Sequence, residues 1–146
     1  MALRTTLFAV PRKEAVALLE DGDLGFNGED TLELDKAGPV LSRLIGSDPG
    51  MRPLHYPDAL EIADAGFRGF LPEDVVMFLR RVREAPLEVR LNKSAWETDI
   101  TGQVYPFEFL DSKEEARAYI LEHGAALEGF LDRAADRRTG MISVET

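Results

Sequence analysis

The sequence contains no cysteine, which excludes disulfides, thiolate nucleophiles and the cysteine ligands of zinc and iron–sulfur sites. No run approaches the roughly 20 apolar residues that a membrane span requires. The first residues also lack the apolar segment of a signal peptide before Pro11. We therefore expect a cytoplasmic protein that does not associate with a membrane.

Basic residues are scarce, since 17 lysines and arginines face 27 aspartates and glutamates and the net charge is −10. This charge argues against nucleic acid as a partner, because phosphates are held mainly by basic side chains. It favours a protein partner with a basic surface. At 146 residues, 45% of them hydrophobic, the chain is predicted to form a single domain over residues 1–146.

The first half of the chain predicts one strand, two helices and an acidic loop. Residues 3–10 are rich in β-formers, and a helix is predicted from Pro11 to about Leu19. Seven carboxylates and three glycines between positions 20 and 35 indicate an exposed loop. The next helix is predicted from about Asp35 to Ile45, with apolar positions Leu41, Leu44 and Ile45.

In the second half, residues 66–70 predict a short strand, and a helix follows from Pro72. Its predicted core stripe is Val75, Val76, Leu79 and Val82. Residues 86–100 fit either a strand or a helix, and we favour a helix. Residues 104–110 alternate like a strand.

The clearest predicted element is a long amphipathic helix that starts at the capping box of Ser112 and Glu115 and stops at Gly140. Residues 141–144 then predict a final strand. The fold class is therefore α+β, with a small sheet joining the N- and C-terminal strands and packed against several helices.

Several short motifs, in this order, give the sequence a family resemblance. They are Leu-Asp-Lys-Ala at 34–37, Leu-Ser-Arg-Leu-Ile-Gly at 41–46, Phe-Leu-Pro-Glu-Asp-Val-Val at 70–76 and Val-Tyr-Pro at 104–106. Together with the terminal strands they resemble the YfbM-like bacterial proteins over nearly the whole chain. The sequence departs from that pattern at Gly38-Pro39, where the family tends to carry a tryptophan. The resemblance implies an α+β fold but no agreed activity, cofactor or catalytic residue.

No metal site or cofactor is predicted. Read as a calcium-binding loop from Asp23, the acidic segment has Leu34 at the twelfth position, where a bidentate glutamate is required. The glycines at 22, 25 and 28 match no phosphate-binding pattern, and surrounding carboxylates would repel a phosphate.

Three residues are candidates for acid–base catalysis. His55 and Asp58 share a proline-rich loop, and loops commonly carry functional groups. His123 lies on the apolar stripe of the final helix. The alternative for His55 is local hydrogen bonding in a turn, and for His123 it is a hydrogen-bonded histidine at the edge of the core.

Three aromatic residues are candidates for ligand or partner binding: Tyr56, Trp96 and Tyr105. Large aromatic side chains commonly anchor interfaces and line pockets, but core packing also accounts for them.

Two functions therefore remain open, beside a purely structural or oligomer-forming role that would require an exposed apolar patch larger than monomers usually tolerate. The first is a non-catalytic module that binds a protein or a small ligand in a cleft, since the sequence lacks the nucleophile motifs of hydrolases. The second is a small hydrolase or transferase that uses a histidine with a carboxylate.

Overall fold

A computed structural model describes residues 4–21, 30–35, 37, 41, 44–45, 60–62, 67–93 and 113–145. Five antiparallel strands of the described residues form one sheet in the order β2-β1-β5-β4-β3. Their bounds are β1 Thr5–Val10, β2 Asp30–Asp35, β3 Leu60–Ile62, β4 Phe67–Phe70 and β5 Gly140–Glu145. The two terminal strands pair along their whole lengths, from Thr5 opposite Glu145 to Val10 opposite Gly140. This pairing confirms the predicted sheet and the α+β class.

Four helices have both ends within the part of the chain that the structure describes: α1 Arg12–Asp21, α2 Pro72–Arg83, α3 Leu87–Lys93 and α4 Lys113–Asp136. Helices α2 and α4 pack together against one face of the sheet, and α3 lies against α4. Helix α1 contacts β3, β4 and β5 on the opposite face. The sheet therefore separates a large core from a smaller one.

Side-chain alternation along the strands produces the two cores. Leu7 and Ala9 of β1 face the large core, and their neighbour Val10 joins Ala15 and Ile142 in the small one. Successive residues of a strand point to opposite faces, so one strand serves both layers.

The predicted long final helix is confirmed over Lys113–Asp136, and so is its buried face. Its fully or almost fully buried apolar residues include Ile120, Leu127, Phe130, Leu131 and Ala134. The prediction for α2 is confirmed at Val75 and Leu79 but wrong at Val76, which is 38% exposed. Phe78 takes its place in the core, one turn after Val75, and packs edge-on against Phe70.

The acidic loop predicted between positions 20 and 35 is wrong at residues 20–21, which end α1, and at residues 30–35, which form the edge strand β2. Residues 22–29 lie outside the described residues. Leu32 and Leu34 alternate with the exposed Thr31 and Glu33, and Leu34 is completely buried. Burial of the two leucines outweighs the low strand preference of the acidic residues beside them. Asp35 also belongs to β2, so the predicted helix start there is wrong. Leu41, Leu44 and Ile45 are nevertheless helical and buried.

Helix α4 ends before Gly140, which corrects the predicted stop. Arg138 adopts the left-handed conformation with φ 57°. The amide of Arg138 donates to the Ala135 carbonyl at 3.1 Å, and that of Thr139 donates to the Ala134 carbonyl at 2.9 Å. This is the Schellman arrangement, with arginine at the position where glycine is usual.

Gly140 instead starts β5. A Cβ at this position would lie 2.6 Å from the carbonyl oxygen of Phe70. Glycine is therefore required there by the close approach of β4.

Among the described residues, no helix is both long and apolar enough to cross a membrane. The helix predicted over 86–100 is confirmed over α3. The strand predicted at 104–110 and the capping serine at 112 lie outside the described residues.

Candidate functional site

A cleft of about 360 Å³ lies where the C-terminal end of α2 and the first turn of α3 meet the middle of α4. Its size falls within the range of about 300–1,000 Å³ that is usual for small-molecule sites. Its described lining consists of Ile45, Val82, Arg83, Ala85, Pro86, Leu87, Arg90, Leu121, Gly124, Ala125 and Glu128. Most of these residues are apolar, and three carry charge.

Gly124 allows α3 to approach α4 closely at the cleft. It is buried on α4, and a Cβ there would overlap Cδ2 of Leu87 and lie 3.4 Å from Cδ2 of Leu41. The absence of a side chain therefore lets Leu87 pack directly against the backbone of α4. A larger residue would displace Leu87, whose side chain also lines the cleft.

Arg83 connects α2 to α4 at the rim. Its Nε donates to Oε1 of Glu128 at 2.9 Å, and its Nη2 donates to Oδ1 of Asp132 at 3.0 Å. The hydrogen bonds to these two carboxylates raise the pKa of Arg83. The two carboxylates thus offset its positive charge, and Glu128 faces the cleft as a partner in an ion pair.

Arg90 has a different environment, because its acceptors are main-chain carbonyls. Nη1 donates to the carbonyl of Leu44 at 3.2 Å and to that of Ile45 at 3.0 Å. Nη2 donates to the carbonyl of Arg81 at 2.9 Å. A longer contact of 3.4 Å joins Nε to the carbonyl of Ala85. The Arg81 carbonyl lies in the last turn of α2, where no intrahelical donor is available. Arg90 therefore fastens α3 to the end of α2 and to the helical segment that carries Ile45.

Burial lowers the pKa of the Arg90 guanidinium, and the positive charge of Arg81 lowers it further, while Glu84 acts in the opposite direction. Both effects disfavour the cation. Arg90 nevertheless stays charged near neutral pH, as arginine does in proteins.

Helix α3 is also tied to α4 on the outside of the cleft. Nη1 of Arg117 donates to Oδ1 of Asn92 at 2.6 Å, and its Nη2 donates to Oε1 of Glu88 at 3.1 Å. The short helix is thus held at both of its ends, so the cleft is a preformed feature of the described structure.

His123 lies next to Gly124 in sequence but does not line the cleft. It is half-buried, and its ring lies 4.2 Å from that of Tyr119, centroid to centroid. Its Nδ1 lies 2.8 Å from the carbonyl oxygen of Tyr119. Because a carbonyl only accepts, this nitrogen carries the proton, which leaves Nε2 as the acceptor in the neutral ring.

The remaining predicted site residues, His55, Tyr56, Asp58, Trp96 and Tyr105, lie outside the described residues. Their suggested roles therefore stay predictions. Within the described part of the chain, no cluster of three or more histidine, aspartate or glutamate side chains is suited to hold a metal ion.

The sequence predictions missed the residues that shape the cleft. Gly124 had a usable signal, because an isolated glycine inside a helical pattern usually has a packing or functional reason. Arg90 had none, since its acceptors are main-chain atoms as far as 46 positions away.

No protein-family model matches the sequence, and a search of curated proteins found no significant match. A search of solved structures found YfbM from Escherichia coli, described as a protein of unknown function. The TM-score is 0.70 at 13% sequence identity, over 98% of this chain and 99% of that one. The fold therefore matches that of the YfbM-like family, and at this identity the likeness concerns the fold alone.

Proposed function

We propose that this protein is a non-catalytic binding module whose ligand occupies the cleft between α2, α3 and α4. The observation that supports the proposal is the character of the lining. Val82, Leu87 and Leu121 provide apolar contact area, and a few charged groups stand at fixed positions among them. Ligand sites typically combine an apolar wall with a small number of oriented polar groups.

The polar groups of the described lining are engaged in ways that favour binding over acid–base chemistry. Glu128 is bonded to Arg83, and Arg90 is bonded to carbonyls. A general acid or base needs a titratable group placed to exchange a proton with the substrate. In the described part of the cleft wall, Glu128 is the one carboxylate and no histidine is present.

The net charge of −10 supports a basic surface on any protein partner. A protein segment held in the cleft would then be an apolar anchor within a positively charged surface. Association with such a partner should slow as ionic strength rises, because long-range attraction is screened.

The test is a two-dimensional NMR binding screen of the ¹⁵N-labelled chain against a fragment library that contains alcohols, amines, carboxylates and short basic peptides. We expect amide shifts that cluster at Val82, Leu87, Leu121 and Gly124. The same samples are followed over time for chemical conversion of the fragments.

Two glycine variants provide the control. Gly124→Ala displaces the Leu87 side chain, which lines the cleft, and should abolish the shifts. Gly129→Ala makes the same change on α4, where the one described atom that the new Cβ meets is Nη1 of Arg133 at 3.5 Å, and it should preserve the shifts. Shifts that map elsewhere, shifts unaffected by Gly124→Ala, or turnover of a fragment would each refute the proposal.

A further inference from the structure

The guanidinium of Arg90 is the feature of the cleft that specifies a ligand class. Arginine has five N–H donors. Three well-formed bonds and one long contact use four of them, all directed at neutral carbonyls. One N–H of Nη2 has no acceptor among the described residues. The half-buried Arg90 cation at the wall of the cleft therefore has one N–H available to a ligand.

The neighbouring charges are already paired. Arg83 is bonded to Glu128 and Asp132, and Arg81 donates to Glu84 at 2.5 Å. Arg90 alone among the described arginines of the lining is bonded to no carboxylate. Partly buried charges are normally paired, because removing an unpaired charge from water is costly.

Burial and the charge of Arg81 disfavour the Arg90 cation, as its lowered pKa indicates. An anion placed at the cleft wall would reverse this effect. It would accept the remaining N–H and supply the opposite charge that the carbonyl acceptors lack.

We infer that the cleft binds a small amphipathic monocarboxylate, with its carboxylate against Arg90 and its apolar chain against Val82, Leu87 and Leu121. The inference deepens the proposed function and rests on it. One available N–H suits a singly charged carboxylate better than a phosphate, which carries more charge and more acceptor oxygens. The ion-paired state of Glu128 reduces its repulsion of such a ligand.

The test compares three probes with the same number of carbon atoms on the full protein: octanoate, octyl phosphate and octanol. Affinities are measured by isothermal titration calorimetry, and the site is mapped by amide shifts. We expect octanoate to bind at the cleft at least about tenfold more tightly than octanol, which corresponds to one charge-assisted hydrogen bond. Octyl phosphate should bind more weakly than octanoate.

The variants Gly124→Ala and Gly129→Ala again serve as the blocked and open forms. Octanoate binding should be lost in the first and retained in the second. High salt should weaken the binding of octanoate but leave the binding of octanol unchanged, because only the charged probe depends on an electrostatic attraction that salt screens.

Arg90→Gln should bring octanoate down to the affinity of octanol. If this variant does not fold, the ratio of the affinities of octanoate and octanol for the unmodified protein decides the question. Equal binding of octanol and octanoate at the cleft overturns the inference and leaves the proposed function standing. Tighter binding of octyl phosphate also overturns it. If no probe and no library fragment binds in the cleft, both the inference and the proposed function are overturned.

Discussion

Arg90 and Ile45 are 45 positions apart in the sequence, and Nη1 of Arg90 donates a 3.0 Å hydrogen bond to the main-chain carbonyl of Ile45. The same side chain bonds the carbonyls of Leu44 and Arg81. One guanidinium thereby connects three helical segments around the cleft. Removal of this guanidinium should therefore lower the stability of the fold as well as the affinity for a ligand.

Replacing Arg90 by methionine keeps much of the stem and removes every donor. We expect the free energy of unfolding to fall by about 2–4 kcal/mol, because partly buried carbonyls are left without partners. Urea unfolding followed by circular dichroism measures the change. The exposed Arg80 provides the control, and Arg80→Met should alter stability by less than about 0.5 kcal/mol. Equal effects of the two variants would show that the hydrogen bonds from Arg90 to the carbonyls contribute nothing to the free energy of unfolding.

The two helical glycines of α4 should respond differently to alanine. Gly129→Ala should raise the free energy of unfolding by about 0.5–1 kcal/mol, since alanine restricts the unfolded chain and its Cβ makes an ordinary contact with Arg133 here. Gly124→Ala should gain less or lose stability, because Leu87 must move out of its packed position. Thermal unfolding of both variants measures the difference. An equal gain at the two positions would mean that Leu87 is not packed against α4 as described.

Gly140→Ala should lower the free energy of unfolding by about 1–3 kcal/mol, the usual cost of overpacking. The new Cβ meets the carbonyl of Phe70, a main-chain atom of the paired strand, and Cβ of Ala15 at 3.1 Å. Neither atom can rotate away. Chemical denaturation is the measurement, with Gly129→Ala as the same substitution at a position without a steric clash. A fully stable Gly140→Ala protein would contradict the close approach of β4 and β5.

Arg138→Gly should raise the free energy of unfolding by about 1 kcal/mol. Arg138 has a positive φ, which costs an L-residue energy that glycine does not incur. Arg137 precedes it and does not share this conformation, so Arg137→Gly should be neutral or destabilising. Differential scanning calorimetry of the pair tests the prediction. The opposite order of stabilities would contradict the Schellman end of α4.

The large elements were predictable because each carries its own signal. The apolar stripe of α4 repeats along 24 residues, and Pro72 marks the start of α2. Residues 30–35 were misread because four carboxylates between positions 29 and 35 obscured the alternation of Leu32 and Leu34. An edge strand needs only one buried face, so its outward residues can be acidic.

The candidate site was beyond sequence reasoning for a different reason. Its walls come from residues near positions 45, 85 and 124, which the fold alone brings together. Of the residues first singled out for function, His123 is described and lies beside the cleft without lining it.

The sequence by itself determined the α+β class, the paired terminal strands and the long final helix, because these follow from apolar periodicity and from proline and glycine signals. Only the tertiary structure decided that Gly124 admits Leu87, that Arg83 is paired and that Arg90 is bonded to carbonyls. Such properties depend on distances between segments remote in sequence. No local pattern records them, since a side chain's charge and donors are the same whichever partner the fold supplies.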